Sequence, residues 1–506
     1  MKNVNIYANI VIVIAAVLFV AGCADLKPWT PSWLTVGPDY VEPQIADPGA
    51  PAPDAGYPTT NKTATGEFAP ADPSSDPRHE ITTNSVRRWW AQFNDDILTG
   101  LIEAAVSNNL DFLVAQQRLI EARWQNVGAW GALMPSVELD GKATRAEYHP
   151  NTSSGGGRTV HRDVFHGGFD ASWEIDIFGG KRRSEEAAYR TMEAASYSLA
   201  DAWVSLTSEI GSQYVSLRTI QERLRVARAN LKLQSETYDI LKSRLDSGIG
   251  DELAVNQAKY NVEQTRASIP SLLAEEEAYM NALAILAGTM PGALHSWLAE
   301  LPDRDWLVAP QKLSSIPLDT IRSRPDVRTA ERKLAAQVAS VGVAKSYLFP
   351  KFYINGTLGL ESVKVQKFFQ RDSLYGTIGP SFSWPLFQGG NLYANLKAEE
   401  AKMEAAALTY ENAVQTAVGE TRDAYSAYTQ QYHRYLSLQG AVKAAKDAEN
   451  ISQDLYKNGL ADFNNVLDAQ RSLLTLDESL TICRGQITIK LISLYKALGG
   501  GVVMGE

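Results

Sequence analysis

Residues 167–180 read GGFDASWEIDIFGG, and their alternation is strict. In an extended chain Phe169, Ala171, Trp173, Ile175 and Ile177 share one face, and Asp170, Ser172, Glu174 and Asp176 share the other. The stretch carries a tryptophan and stops at the pair Gly179–Gly180. A second stretch of the same design, IGPSFSWPLFQGG at residues 378–390, sets Ile378, Pro380, Phe382, Trp384 and Leu386 against Gly379, Ser381 and Ser383. It stops at Gly389–Gly390. Pro380 has no N–H for a ladder, so a local bend or bulge is expected there.

The two stretches belong to a repeat. One shift of 211 residues puts Trp173 on Trp384, Gly248 on Gly459, Asp251 on Asp462 and Val255 on Val466. The same shift puts Ala258 on Ala469, Leu283 on Leu494 and Gly288 on Gly499. Such a unit is too long for a solenoid and indicates a duplicated half-protein. Each half orders as helix, two strands, two long helices. The expected strands are 136–148 and 169–178 in the first half, and 351–361 and 375–387 in the second. Half-buried strands of any soluble sheet alternate in this way. Here the strands have about ten residues and aromatic ends, the height of a bilayer, and the loops at 148–163 and 363–373 are expected to be polar. A membrane barrel is the better reading.

No proline falls between Ser184 and Ser247, which permits a helix of about 90 Å. Leu217, Leu224, Leu231, Tyr238 and Leu245 recur every seventh residue, with Ile220, Ala227, Gln234 and Leu241 at the second seam position. The second half has a seam of smaller residues: Leu438, Ala441, Ala445, Ala448, Ser452 and Leu455. Glycines at 248, 250 and 459 mark the turns, so each half is expected to end in a helical hairpin with its tip there.

At the N-terminus, Lys2 precedes an apolar run at residues 10–20, too short to span a bilayer, and VAGC ends at Cys23. The run fits the h-region of a secretion signal, and VAGC resembles the bacterial lipoprotein box. Residues 1–22 are thus expected to be cleaved and Cys23 to be lipidated. Ala24, where an aspartate would favour inner-membrane retention, points to the outer membrane. Of 22 prolines, 11 lie from Pro28 to Pro77, so residues 23–85 form an extended linker after the anchor. The halves then occupy 86–300 and 301–506. In the first, Leu98, Leu101, Ile102 and Ala105 carry helical spacing.

A net charge of −10 argues against nucleic acid as a partner. Two cysteines make no disulfide framework. The six histidines show no metal-ligand spacing, and neither a phosphate loop nor a nucleophile elbow occurs. The chain is therefore expected to be no enzyme, without metal or cofactor beyond the lipid on Cys23.

Four membrane strands cannot seal a barrel, and open edges in lipid cost several kcal/mol per unpaired group. Copies must complete it. Two would give eight strands with a filled interior, and three would give twelve around a pore, which the acidic inner faces favour, along with a preference for cations.

The segments VGPDYVEP, WWAQFND, WEIDIFGGKRR, the run at 321–352, GPSFSWPLFQGGNLYANLKAEEA and DFNNVLDAQRSLL together resemble the TolC-type outer-membrane efflux channels, nearest the lipidated OprM-like branch. The resemblance covers nearly the whole mature chain. It implies a mixed α/β membrane protein: a homotrimeric 12-stranded outer-membrane β-barrel with four strands per chain, continued by a long periplasmic α-helical barrel. It also implies a periplasmic adaptor (membrane fusion) protein and an inner-membrane pump, usually of the resistance-nodulation-division class, as partners. Drugs and other toxic small molecules would leave through the duct. By the same resemblance Tyr456 and Asp468 match gate positions, Asn465 stands where TolC has aspartate, Ala461 where it has arginine, and Ala254 where it has an acid. The tips Gly248-Ile249-Gly250 and Gly459-Leu460-Ala461 are candidate adaptor contacts, and the pairs Gly179–Gly180 and Gly389–Gly390 are the joints where strand passes to helix. Two other readings are a protein-secretion duct of the same architecture and a lipid-anchored coiled coil without a pore; the lipobox and VGPDYVEP favour small-molecule efflux.

Overall fold

The computed structural model describes residues 36–41, 89–148, 160–299, 319–458 and 460–501. The signal, Cys23, the linker apart from residues 36–41, and Gly459 lie outside them. The chain divides into two compact units, each drawn from both sequence halves. One takes residues 1–40, 126–188 and 336–403, and the other 41–125, 189–335 and 404–506.

The first unit is built on a four-stranded antiparallel sheet, β1 (Ser136–Tyr148), β2 (Val160–Ile175), β3 (Lys351–Ser362) and β4 (Leu374–Ser383), in the order β1-β2-β3-β4. Two strands end earlier than the alternation suggested. β2 begins at Val160 and stops at Ile175 instead of Phe178. β4 stops at Ser383, because Trp384 precedes Pro385, which has no N–H to continue a ladder. The bulge expected at Pro380 is absent: Pro380 faces Ile354 in a register unbroken from Lys351↔Ser383 to Leu360↔Leu374. β4 is an edge strand in the chain, and an edge is where a missing donor is tolerated. The 363–373 loop is less polar than expected, with Val363, Val365 and Phe369 exposed.

The register sorts the side chains into two faces. Val137, Leu139, Phe169, Trp173, Ile354, Leu358, Ile378 and Phe382 share one. Most are exposed, Ile378 to 84%, so among the described residues nothing covers this apolar wall. The other face carries polar residues that bond across strands. Ser172 Oγ donates to Asn355 Oδ1 (2.9 Å), Asn355 Nδ2 donates to Ser381 Oγ (2.8 Å), and the Thr357 and Thr377 hydroxyls lie 2.7 Å apart.

The strands are tied to the turns before them in one way in both halves. The Trp173 indole N–H donates to Leu133 O (2.9 Å), and that of Trp384 to Leu348 O (3.1 Å). Gly179, Gly389 and Gly390 all have positive φ, which is why glycine stands at these joints. At Gly180 the reason differs, since a Cβ there would lie 2.3 Å from Ser346 Oγ. The VGPDY segment packs on the same unit. Gly37 sits against Gly342, and Asp39 pairs with Arg183.

The second unit is helical. α1 (Asp96–Asn108) starts at Asp95, whose carboxylate accepts from the Ile97 and Leu98 amides (2.9 and 3.2 Å). Leu98, Leu101, Ile102 and Ala105 are buried, as their spacing required. They meet Trp89, stacked on Tyr495 at 6.3 Å, along with Leu283, Leu494 and Ile492. Among the described residues no single helix is long and apolar enough to cross a membrane.

Helix lengths display the duplication. α2 (Leu110–Gly131) and α5 (Pro325–Ser346) have 22 residues each; α3 (Gly180–Asp246) and α6 (Asn391–Lys457) have 67; α4 (Glu252–Leu286) and α7 (Phe463–Ala497) have 35. The register between halves changes along the chain. α5 and β3 trail α2 and β1 by 215 residues, whereas the long helices keep 211. The difference falls in the strands and their loops, where β2 has 16 residues and β4 has 10. At about 1.5 Å per residue, α3 is about 100 Å long. Its seam is buried at Leu217, Ile220, Leu224 and Leu241 and half-buried at Leu231, Tyr238 and Leu245. In the smaller seam Leu438, Ala441, Ala445 and Ser452 are half-buried, while Ala448 and Leu455 are exposed. α4 contains Pro270 within its span.

Candidate gate and hairpin tips

Both hairpins turn by one chemistry. At the end of α3 the Gly248 amide donates to Leu245 O (2.9 Å) and the Ile249 amide to Arg244 O (3.0 Å). These are the paired bonds of a glycine-terminated helix, and Gly248 has φ +78° as that requires. In the second hairpin the Leu460 amide donates to Leu455 O (2.9 Å), the equivalent bond 211 residues later. Ile249 and Leu460 project outward, 71% and 74% exposed. Gly250 is confined, because a Cβ there would lie 2.4 Å from the Leu245 amide nitrogen. Asp251 Oδ1 then caps α4 by accepting from the Leu253 amide (3.0 Å). Ala461 is half-buried beside the exposed Leu460.

Just inside the tips, Leu241, Ala254, Val255 and Ala258 bury one another, with Tyr238, Leu245 and Phe463 packed against them. Ala254, at a position that the resemblance marks as acidic in TolC, therefore does packing work here. Tyr456 meets this cluster edge-on through Phe463 (5.0 Å between ring centres). Its hydroxyl accepts a bond from Arg244 Nη1 at 2.5 Å, and the guanidinium carbon lies 5.7 Å from its ring centre. This contact ties the last turn of α3 to the last turn of α6. Arg244 was not singled out from the sequence, although the repeat held the signal: Tyr456 is the counterpart of Leu245, so a basic residue beside Leu245 stands level with Tyr456.

Asn465 and Asp468 are exposed on the first turns of α7. Asp468 Oδ1 lies 3.7 Å from Arg471 Nη1, and Arg471 Nη2 donates to Asn261 Oδ1 on α4 (3.2 Å). The structure thus joins Tyr456 to α3 and Asp468 to α4 through two arginines. Beyond them lies a cleft of about 530 Å³ between α3, α4 and α7, lined by Arg223, Gln264, Glu275, Arg471 and Glu478 among others. Arg223 bridges it, 2.7 Å from Glu478 and 3.8 Å from Glu275. Nearby, the Arg225 bond holds the Glu222 carboxyl below its ordinary range, while burial lifts that of Asp477.

Burial accounts for the remaining thiol. Cys483 is fully buried in the helical core, and burial pushes its pKa up, which disfavours the reactive thiolate.

A sheet with one apolar and one hydrogen-bonded polar face, joined to paired hairpins of helices up to 67 residues long, defines a channel-forming duct protein of the outer membrane. The chain belongs to the outer membrane efflux protein family, whose profile matches residues 101–289 and 317–500. Its fold matches that of the outer-membrane channel OprN with a TM-score of 0.76 at 30% identity, over 92% of this chain and 99% of that one. Among curated relatives, the toluene efflux pump outer membrane protein TtgF of Pseudomonas putida is 28% identical over 92% of this chain and 93% of its own length. The probable outer membrane lipoprotein SilC of Salmonella typhimurium is 28% identical over 82% of this chain and 88% of its own. The family is one of transport ducts and not of enzymes, it resides in the outer membrane, and its channels act in tripartite systems with a periplasmic adaptor and an inner-membrane pump.

Proposed function

We propose that three copies of this chain form the exit duct of a tripartite pump that passes toxic small molecules out of the cell. The observation that carries this reading is the four-stranded sheet whose outer strands, β1 and β4, and apolar face are uncovered among the described residues. In lipid those edges need partners, and β4 of one copy meeting β1 of the next completes the ring. Three copies supply twelve strands, with the polar face inward. The helical hairpins of the three copies form the periplasmic tunnel, with Tyr456, Asn465 and Asp468 at its gate. The tips Gly248-Ile249-Gly250 and Gly459-Leu460-Ala461 dock the adaptor, and the energy comes from a pump of the resistance-nodulation-division class. The lipid on Cys23 of the VAGC motif holds the chain to the inner leaflet of the outer membrane.

The purified full-length protein, reconstituted in a planar bilayer, should be trimeric by native mass and should conduct with cation selectivity. Deleting it should sensitise the host to a panel of toxic organic compounds. A monomeric protein without conductance would sink the reading.

A further inference from the structure

The structure brings together three side chains that no linear spacing connects. Asp140 on β1 and His166 and Asp170 on β2 place one ligand atom each within 4.8 Å of the others. All three stand on the polar face of the sheet. Asp140 faces Gly168 across the strand pair, and His166 and Asp170 flank that glycine on the same side. A side chain at 168 would fill the space between the ligands. Neither Gly168 nor its other neighbour, Gly359, has room for one: a Cβ on either would approach the other's Cα within 2.6–2.7 Å. The glycine pair therefore makes a floor, and the three ligands lean over it.

The imidazole is held in the manner of a metal ligand. His166 Nε2 lies 3.1 Å from Asp140 Oδ1, while the Tyr375 hydroxyl on β4 lies 2.9 Å from Nδ1 and 3.3 Å from Nε2. Glu361 on β3 stands 4.0 Å from Nδ1. An imidazole that binds metal through one nitrogen ordinarily engages an oxygen with the other, which fixes its orientation. Two ligands each about 2.0–2.1 Å from Zn²⁺ sit about 3–3.4 Å apart at tetrahedral or octahedral angles, so the His166–Asp140 spacing already suits a shared ion. Lys142 is exposed and stands opposite His166 on β1, and its long stem lets the ammonium swing clear.

We propose that Asp140, His166 and Asp170 bind a divalent cation of the zinc class, with Tyr375 and Glu361 orienting the imidazole. One nitrogen and two carboxylate oxygens leave positions for water and suit Zn²⁺, Cu²⁺ or Ni²⁺ better than Mg²⁺ or Ca²⁺. Placing the ion in the lumen rests on the duct reading above, and three copies would then set a ring of three cations inside the barrel, reducing its attraction for monovalent cations.

Titrating Zn²⁺ into the chelator-treated full-length trimer by calorimetry should show one saturable site per chain, and Co²⁺ should give visible d–d absorption. His166→Ala should remove that site, and Tyr375→Phe should weaken it about 10- to 100-fold. His161→Ala, on the opposite face, should leave it intact. His166→Gln guards against a folding defect, since it keeps volume and polarity while losing the imidazole. Absence of the site in the parent protein, or a stoichiometry undiminished in both His166 variants, would overturn the proposal. Micromolar Zn²⁺ should also lower the conductance of the parent channel and not that of His166→Gln. Calorimetric binding without that change would uphold the site and count against the lumen placement alone.

Discussion

Arg244 and Tyr456 show how much a single pair can decide. Their bond crosses from one hairpin to the other at the level where the resemblance sets the gate. Both residues sit near solvent, so the bond contributes about 1 kcal/mol, within the usual net range. Tyr456→Phe and Arg244→Ala should each shift the closed-to-open balance several-fold toward open, read as a larger resting conductance with the trimer intact. Asp468→Ala should in addition loosen closure by divalent cations; unchanged divalent block would remove Asp468 from the gate. In the core, the Tyr214 hydroxyl donates to Asp95 Oδ2 at 2.6 Å, and burial drives the phenol's pKa far up, so it remains a donor at any ordinary pH. Tyr214→Phe should cost about 1.5–3 kcal/mol, the range for bonds to charged groups, measured as a lower unfolding midpoint. Tyr456 and Asp468 could be picked from the sequence because they carry recognisable motifs. Arg244 and Arg471 could not, because an arginine on a long charged helix looks like every other solvated residue until its partner helix is placed.

Elements were legible where one periodicity ran uninterrupted. α1, the α3 seam and the strand faces follow from spacing alone, and the repeat gave both hairpins at once. What spacing could not give were the strand ends and the effect of Pro380, because both depend on the neighbouring strand: whether a proline interrupts a ladder is set by which side of it is paired. The cluster of Asp140, His166 and Asp170 was invisible for the same reason, since Asp140 and His166 meet only through the β1–β2 register. At the tips, Gly248→Val should strain the left-handed turn by about 1–2 kcal/mol and loosen the hairpin end. Ile249→Asp keeps the backbone and changes only the exposed apolar surface. It should abolish efflux while leaving trimer and surface levels at parental values; efflux retained at full rate would exclude this tip from docking.

For the molecule as a whole, the helical unit carries its own response to acid. Arg324 binds Asp326 (2.7 Å), Glu420 (2.6 Å) and the Ala497 carbonyl (2.7 Å), tying three chain segments together. Burial lifts the Asp326 carboxyl, but the bonds and charge of Arg324 outweigh it and hold the carboxyl below its ordinary range. Stability from this pair is therefore present above the ordinary aspartate value of about 3.9 and is lost as pH falls through the depressed one. Asp201 runs the other way. Burial first, then the charge of Asp326, raises its carboxyl, so its contribution is complete below about 3.9 and declines as pH climbs through the raised value. Asp326→Asn should flatten the acid limb of the stability–pH curve, and Asp201→Asn should flatten the limb just above it, both followed by helical circular dichroism.

The equal spans of the two arms carry a consequence for how such a machine can change size. Because α3 matches α6 and α4 matches α7 residue for residue, reach is a property that neither arm owns alone. Excising seven residues from each helix of one arm would leave its apex about 10 Å short of its twin, presenting a staggered rim. Excising the corresponding heptads from both would give a shorter vessel with a level mouth. Lineages that lengthen or trim this duct should do so in matched steps, four heptads at a time, one in each of α3, α4, α6 and α7.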